Sequence, residues 1–324
     1  MSKEAEKISV LQRIKNNPVS VPYGVLVLTF IISTIASPDI FPTYSNIMNI
    51  LRQASIVGVV SIGMTVVLLV GGIDLSVTSI MALTACLLAD MMEKGAAAGQ
   101  TGIMAGQVVL VLILGCLIGL INGIIVVTRK LEAFIVTLAM NMIIKGVVMV
   151  YTKGAPGGKV TEFWQNFGSG YVLGIPCAVI LYAAAMIVFL IVLHKTVYGR
   201  HIYAIGSNAE AARLTGIKVN FNKIMAYVLC GFTAALAGVM LMARVRVGEP
   251  NGSTGYDMDA LAAAVIGGTA MSGGVGTLAG TLAGVIIMAM VNNILNLIGA
   301  DPNLQSLIKG LIILVAVIFQ RKEK

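Results

Sequence analysis

The sequence predicts an all-α, polytopic membrane protein of about ten transmembrane helices, and three observations carry that prediction. Hydrophobic residues make up 58% of the chain and charged residues 11%, with a mean hydropathy of +0.95. Soluble domains run about 45–50% apolar and about 25% charged, so a water-soluble globule is excluded. Apolar runs of helical length recur along the whole sequence. At roughly 20 residues per span, 324 residues hold about ten spans with short loops and no sizeable soluble domain. The same composition excludes intrinsic disorder. Cys86, Cys116, Cys177 and Cys230 are far apart inside apolar runs, which excludes a disulfide scaffold and reads as small buried apolar side chains.

Taken in order, residues 1–20 form a polar, mixed-charge cytoplasmic segment. The first apolar run, about 21–36, lacks a small-residue cleavage site and reads as a retained span, not a signal peptide. Further runs fall at about 54–71, 75–92, 104–128, 134–151, 173–194, 222–243, 258–272, 276–298 and 304–320. The eighth is short and rich in small residues, as in a broken or re-entrant helix packed inside protein. Residues 21–320 thus make one transmembrane domain, with a coupling loop at 195–221 and a cytoplasmic tail at 321–324. Ten spans place both termini on one side. With that side the cytoplasm, fourteen of the 22 basic residues lie inside, six outside and two, Lys145 and Lys309, within spans. That bias follows the positive-inside rule, and it explains the net charge of +8 without nucleic acid.

Two stretches read as copies of each other. Gly115, Gly119 and Gly123 repeat every four residues in the fourth run, and Gly276, Gly280 and Gly284 do so in the ninth. Each is a glycine rib on one helix face, a surface that lets a neighbouring backbone approach closely. Ile144-Lys145-Gly146 and Ile308-Lys309-Gly310 follow in the next runs. Upstream, Gly72-Ile73-Asp74 and Gly255-Tyr256-Asp257 each set a carboxylate at the start of a span. The fourth and ninth runs cross in opposite senses, so the pattern suggests two inverted five-helix repeats, a transporter device.

Catalytic motifs are missing. No Gly-x-x-x-x-Gly-Lys-Ser/Thr phosphate loop, Gly-x-Ser-x-Gly or His-Glu-x-x-His occurs. His194 and His201 have no Cys or carboxylate at ligand spacing, so no metal site is expected. Asn141, Asn292, Asn293 and Asn296 offer either polar pore contacts or interhelical hydrogen bonds, and the second role is the expected one. The loop Tyr198–Ile217 is basic, and Ser207 or Asn208 can cap a short helix that carries Glu210 in its first turn and stops at Gly216. Ala211, Ala212, Leu214 and Ile217 give that helix apolar surface, which suggests a docking knob.

At these residues a family becomes visible. Glu210-Ala211-Ala212, then Arg213 and later Gly216, resembles the Glu-Ala-Ala…Gly coupling motif of permease subunits of ATP-binding-cassette (ABC) importers. Gly71-Gly72-Ile73-Asp74-Leu75-Ser76-Val77 resembles the hallmark of the simple-sugar branch, the ribose, xylose, arabinose and galactose permeases. So do Gly255-Tyr256-Asp257-Met258-Asp259-Ala260-Leu261-Ala262-Ala263, Ile266-Gly267-Gly268-Thr269 and Ser272-Gly273-Gly274. The likeness runs from about Tyr44 onward and is nearest the ribose type. Thr78, where many members carry glycine, and the variable Asn251-Gly252-Ser253 depart from the pattern.

The resemblance implies a non-enzymatic translocation subunit that imports ribose or a related monosaccharide across the bacterial plasma membrane. It implies a homodimer, a cytoplasmic ATPase subunit that binds the ATP and magnesium, and an extracytoplasmic sugar-binding protein. No cofactor is expected on this chain. Ser207, Asn208, Glu210, Ala211, Ala212, Arg213 and Gly216 are then the coupling residues. Gly72, Asp74, Ser76, Asp257, Asp259, Gly267 and Gly268 are gating candidates, with a structural capping role open for Asp74. The competing class is an ion-coupled secondary transporter of a small neutral solute, which needs a carboxylate deep in the bilayer. Lys145 and Lys309 are the only mid-span charges, and neither has an evident carboxylate partner in the sequence.

Overall fold

The computed structural model describes residues 19–100, 102 and 104–319, so the expected segment before residue 19 and the tail at 321–324 lie outside the described residues. Helices occupy every apolar run: α1 (Ser20–Ala36), α2 (Tyr44–Leu69), α3 (Val77–Ala97), α4 (Ala105–Arg129) and α5 (Ala133–Thr152). After them come a short α6 (Glu162–Ser169), the two-residue strands β1 (Tyr171–Val172) and β2 (Ile175–Pro176), and α7 (Cys177–Lys195). The chain continues through α8 (Val197–Ser207), α9 (Ala209–Leu214), α10 (Val219–Val245), α11 (Tyr256–Ile266), α12 (Leu278–Leu297) and α13 (Pro302–Phe319). Side chains define several starts. Thr43, Thr196 and Thr277 each accept the amide of the residue three positions on, from Asn46, Gly199 and Gly280.

Six helices among the described residues, α2, α4, α5, α7, α10 and α12, are long and apolar enough to cross a membrane. The remaining runs fall short of ten clear spans for identifiable reasons. The 17-residue α1 is short, α3 carries Asp90, Glu93 and Lys94 in its second half, and α11 is an 11-residue helix. The eighth run is broken, as its small residues suggested: it ends as helix at Ile266 and continues to Gly276 as a glycine turn.

α2 is the centre of the bundle, buried without interruption from Ala54 to Val70. α10, α11 and α12 pack around it, and α4 lies against α10. The outward faces of α4, α5 and α7 are aliphatic, with Ile113, Ile121, Ile135, Ile143 and Ile187 exposed. In water such a surface would aggregate; in lipid it is the expected exterior.

Contacts sort the helix ends into two sides. On one, Asn46 and Asn293 exchange hydrogen bonds of 3.0 and 2.8 Å, and Tyr44 donates to the Gly174 carbonyl (2.7 Å). There too Arg52 lies over the Tyr171 ring at 4.9 Å, and Gly157 pairs with Gly248. On the other, the Gly274 amide donates to the Leu69 carbonyl (2.9 Å) and Tyr203 Oη donates to the Gly276 carbonyl (3.0 Å). That second side gathers the ends of α2 and α4, the starts of α5, α10 and α12, and α8 with α9.

Candidate functional site

The glycine ribs are surfaces of close backbone approach. A Cβ built on Gly115 would lie 2.5 Å from the Gly231 carbonyl oxygen, on Gly119 2.2 Å from that of Tyr227, and on Gly123 2.9 Å from Ile224 Cα. All three face α10. The second rib faces α11: a Cβ on Gly280 would lie 2.0 Å from the Gly267 oxygen and on Gly284 1.9 Å from the Ala263 oxygen. Gly276, expected as the first residue of that rib, is not helical: it stands before the capping Thr277, in the turn ahead of α12, with φ +147°, and abuts Thr269. With no hydrophobic drive between helices in lipid, such backbone proximity is a main source of association.

Between α2 and α3 the chain breaks at Gly71, whose φ of +74° suits glycine, and residues 70–76 turn inward. Asp74 is 0% exposed. Its Oδ1 accepts the Ser76 amide (3.0 Å) and the Ser76 hydroxyl (2.6 Å), and Asn122 Nδ2 donates to that hydroxyl oxygen (2.9 Å). Asn122 is seven residues from the end of α4, so the loop dips roughly 10 Å into the bundle. It does not sit at the surface, as a simple start of a span would. No ion pair reaches Asp74 among the described residues. Asp74 Oδ2, Asn122 Oδ1 and Tyr227 Oη are buried without hydrogen-bond partners among the described residues. A Cβ on Gly72 would meet that Tyr227 Oη, which is why this position is glycine.

The second motif region sits on α11. Asp257 is half-buried in its first turn; Asp259 is buried, accepts from Asn292 Nδ2 (3.3 Å) and pairs with Lys309 at 3.1 Å. The expectation that Lys309 lacks a carboxylate partner is therefore overturned. Sequence spacing hid the contact, because 50 residues separate the two. Gly267 contacts Gly280, and Gly268 follows at φ +86°. All four asparagines make interhelical or inter-element bonds: Asn141 with Thr78 (3.2 Å), Asn292 with Asp259, Asn293 with Asn46 and Asn296 with Gln305 (3.0 Å).

The basic loop is two helices. Asn208, rather than Ser207, caps α9 by accepting the Ala211 amide (2.9 Å), and Gly216 stops it at φ +84°. Glu210 and Arg213 bridge at 2.6 Å on its outer face, and the guanidinium's hydrogen bond holds the Glu210 carboxyl below its ordinary range. Ala212 points inward at 5% exposed, so it seats the helix on its own chain, whereas Ala211 is exposed and Leu214 is 77% exposed. Phe221, at 59%, adds a second apolar side chain at this end that sequence reasoning did not single out.

The missed element is α8. Its Gly206 lies against both motif loops: a Cβ there would be 1.9 Å from the Leu69 oxygen and 2.2 Å from the Gly274 nitrogen. Ser207 also touches Gly274. The short helix with the exposed knob is thus continuous, through α8, with the ends of α2 and α12. Gly206-Ser207 was visible in the sequence, but nothing in its spacing told which glycine it would meet.

Six helices of membrane-crossing length, enclosing buried polar breaks, define a multi-pass α-helical membrane protein. A family model described as "Branched-chain amino acid transport system / permease component" matches residues 46–317. The ribose import permease protein RbsC of Escherichia coli (strain K12) is 42% identical over 310 residues, 93% of this chain and 92% of the relative. RbsC of Bacillus subtilis (strain 168) is 43% identical over 306 residues, 93% and 91% of the two chains. The L-arabinose transport system permease protein AraH of Escherichia coli (strain K12) is 36% identical over 308 residues, 92% and 90%. No solved structure matches. The chain belongs to this permease family.

Proposed function

We propose that the chain is the translocation subunit of an ABC importer for a simple sugar, ribose or a related monosaccharide. The observation that carries the proposal is the 42–43% identity to ribose import permeases along more than nine-tenths of both chains. The family description names branched-chain amino acids, but the sugar permeases match more than nine-tenths of this chain.

In this reading the ten apolar runs make up the membrane domain, the eighth as the broken segment of α11 and the glycine turn that follows it, with the α8–α9 end in the cytoplasm and both termini there. Seven of the fourteen basic residues expected inside lie on described residues at that end, against six at the other. The docking segment therefore supports the orientation more than the described charges do. A second copy completes the unit, an ATPase subunit docks on Leu214, Ala211 and the Glu210–Arg213 pair, and a sugar-binding protein delivers at the opposite end. ATP and magnesium reside on the ATPase. Its motion reaches the Asp74 loop and the Gly267–Gly276 turn through Gly206.

Two inverted five-helix repeats are supported by matching neighbour relations. Numbering the ten helices in order, three packs on five as eight does on ten. Likewise four packs on three and seven as nine does on eight and two. The first and sixth helices depart, packing on the ninth and the second without comparable counterparts. Co-expression tests the proposal: the permease should retain an ATPase subunit through purification and restore ribose uptake to permease-deficient cells. Restoration of leucine uptake instead would reassign the solute.

A further inference from the structure

The Ile-Lys-Gly pair is the sequence feature that coupling leaves unused. Lys145 Nζ donates to the Pro250 carbonyl (2.7 Å) and to Asn251 Oδ1 (2.8 Å), while Lys309 Nζ pairs with Asp259 (3.1 Å). Both therefore grip the same interrupted segment, the turn after α10 and the helix α11, from opposite flanks. Each lysine is seven residues from the end of its helix on the Asn46–Asn293 side, α5 finishing at Thr152 and α13 starting at Pro302. At 1.5 Å per residue both stand roughly 10 Å below that end, at one level. One turn along α5, on the same face, Asn141 accepts from Thr78 (3.2 Å), and Ser253 donates to the Thr78 carbonyl (2.8 Å).

This strip is open. Lys309 is 26% exposed and Lys145 half-exposed, Asn251 is exposed, and Asn292 Oδ1 is buried without a partner among the described residues. Lys145 has no carboxylate within ion-pair distance among the described residues and keeps one N–H unused. An ammonium held by two neutral oxygens at this depth cannot face hydrocarbon cheaply; ionisable groups so placed face water-filled routes. Two lysines stand with two carboxylates, Asp259 paired with Lys309 and Glu249, which accepts the Asn251 amide (3.2 Å), on the Lys145 side, so the strip carries no net charge. It offers both donors and acceptors, the complement of a neutral polyhydroxylated solute.

We infer that Asn141, Lys145, Asn251, Asp259, Asn292 and Lys309 line the solute's route and supply hydrogen bonds to a neutral polyol. This rests on the importer reading. The test uses the complete importer in liposomes, measuring ribose uptake and ATP hydrolysis together. Lys145→Met should lower uptake roughly tenfold or more while ATP turnover and ATPase retention stay at wild-type values, and Lys145→Gln should restore part of the loss. Asn251→Cys should react with a membrane-impermeant thiol reagent more slowly when ribose saturates the importer. Ile121→Cys, on the lipid-facing side of α4, should not react. Wild-type uptake in Lys145→Met, or an Asn251→Cys indifferent to ribose, overturns the inference and leaves the importer standing. Absence of ribose uptake by the wild-type importer overturns the reading beneath it.

Discussion

Gly119→Ala should weaken the α4–α10 contact even though alanine is the better helix former. The new methyl carbon would lie 2.2 Å from the Tyr227 carbonyl oxygen and 3.1 Å from Val228 Cα. Ordinary contact needs about 3.5 Å, so the helices must part by roughly 1 Å. Neither neighbouring atom is a flexible side-chain end, so relief requires moving backbone along the whole rib. Overpacking of this kind costs about 1–3 kcal/mol or more, against a gain of about 1 kcal/mol from replacing glycine inside a helix. The clash wins, and Gly119→Leu should be worse. Gly24→Ala is the matched control, because nothing lies within 4 Å of a Cβ on that α1 residue. In mild detergent the apparent melting temperature of Gly119→Ala should fall by several degrees while that of Gly24→Ala holds or rises. Equal behaviour of the two variants would refute the reasoning.

Other outcomes follow from the same geometry. Leu214→Asp should leave stability within about 0.5 kcal/mol of wild type, since the side chain is 77% exposed, yet abolish ATPase retention on co-purification. Ala212→Arg, at a position 5% exposed, should instead lower the melting temperature; a Leu214→Asp protein that keeps its partner would remove the docking assignment. Asp74→Asn keeps an acceptor for Ser76 and removes a fully buried ionisable group that has no ion-pair partner among the described residues, so stability should hold or rise while uptake falls. A large loss of stability would make the charge structural. Single Leu substitutions at Asn46 and Asn293 should each destabilise, with a coupling energy of about 1 kcal/mol in the double-mutant cycle; strict additivity would contradict the observed pair.

The sequence made the helices legible because hydrophobic runs in a membrane protein are long and composition alone marks them. Glycine ribs were legible too, since a four-residue period fixes a face; their partners, α10 and α11, were not, because periodicity says nothing about the opposing helix. Asn208 as a cap and Gly216 as a stop are local effects, readable within a few residues. Inward and outward were harder. Ala212 and Leu214 are both apolar, and the seat on the bundle, which the sequence does not show, decides which one faces inward. The Lys309–Asp259 pair and the contact of Gly206 with Leu69 and Gly274 join distant segments, for which one sequence carries no spacing signal.

The most direct test is the initial rate of ribose uptake into liposomes holding this permease with its ATPase subunit and binding protein, measured with and without ATP and with a protonophore. The account predicts uptake that requires both ATP and the ATPase subunit and is indifferent to the protonophore. Uptake by the permease alone that collapses with the protonophore would contradict it and make the chain an ion-coupled transporter.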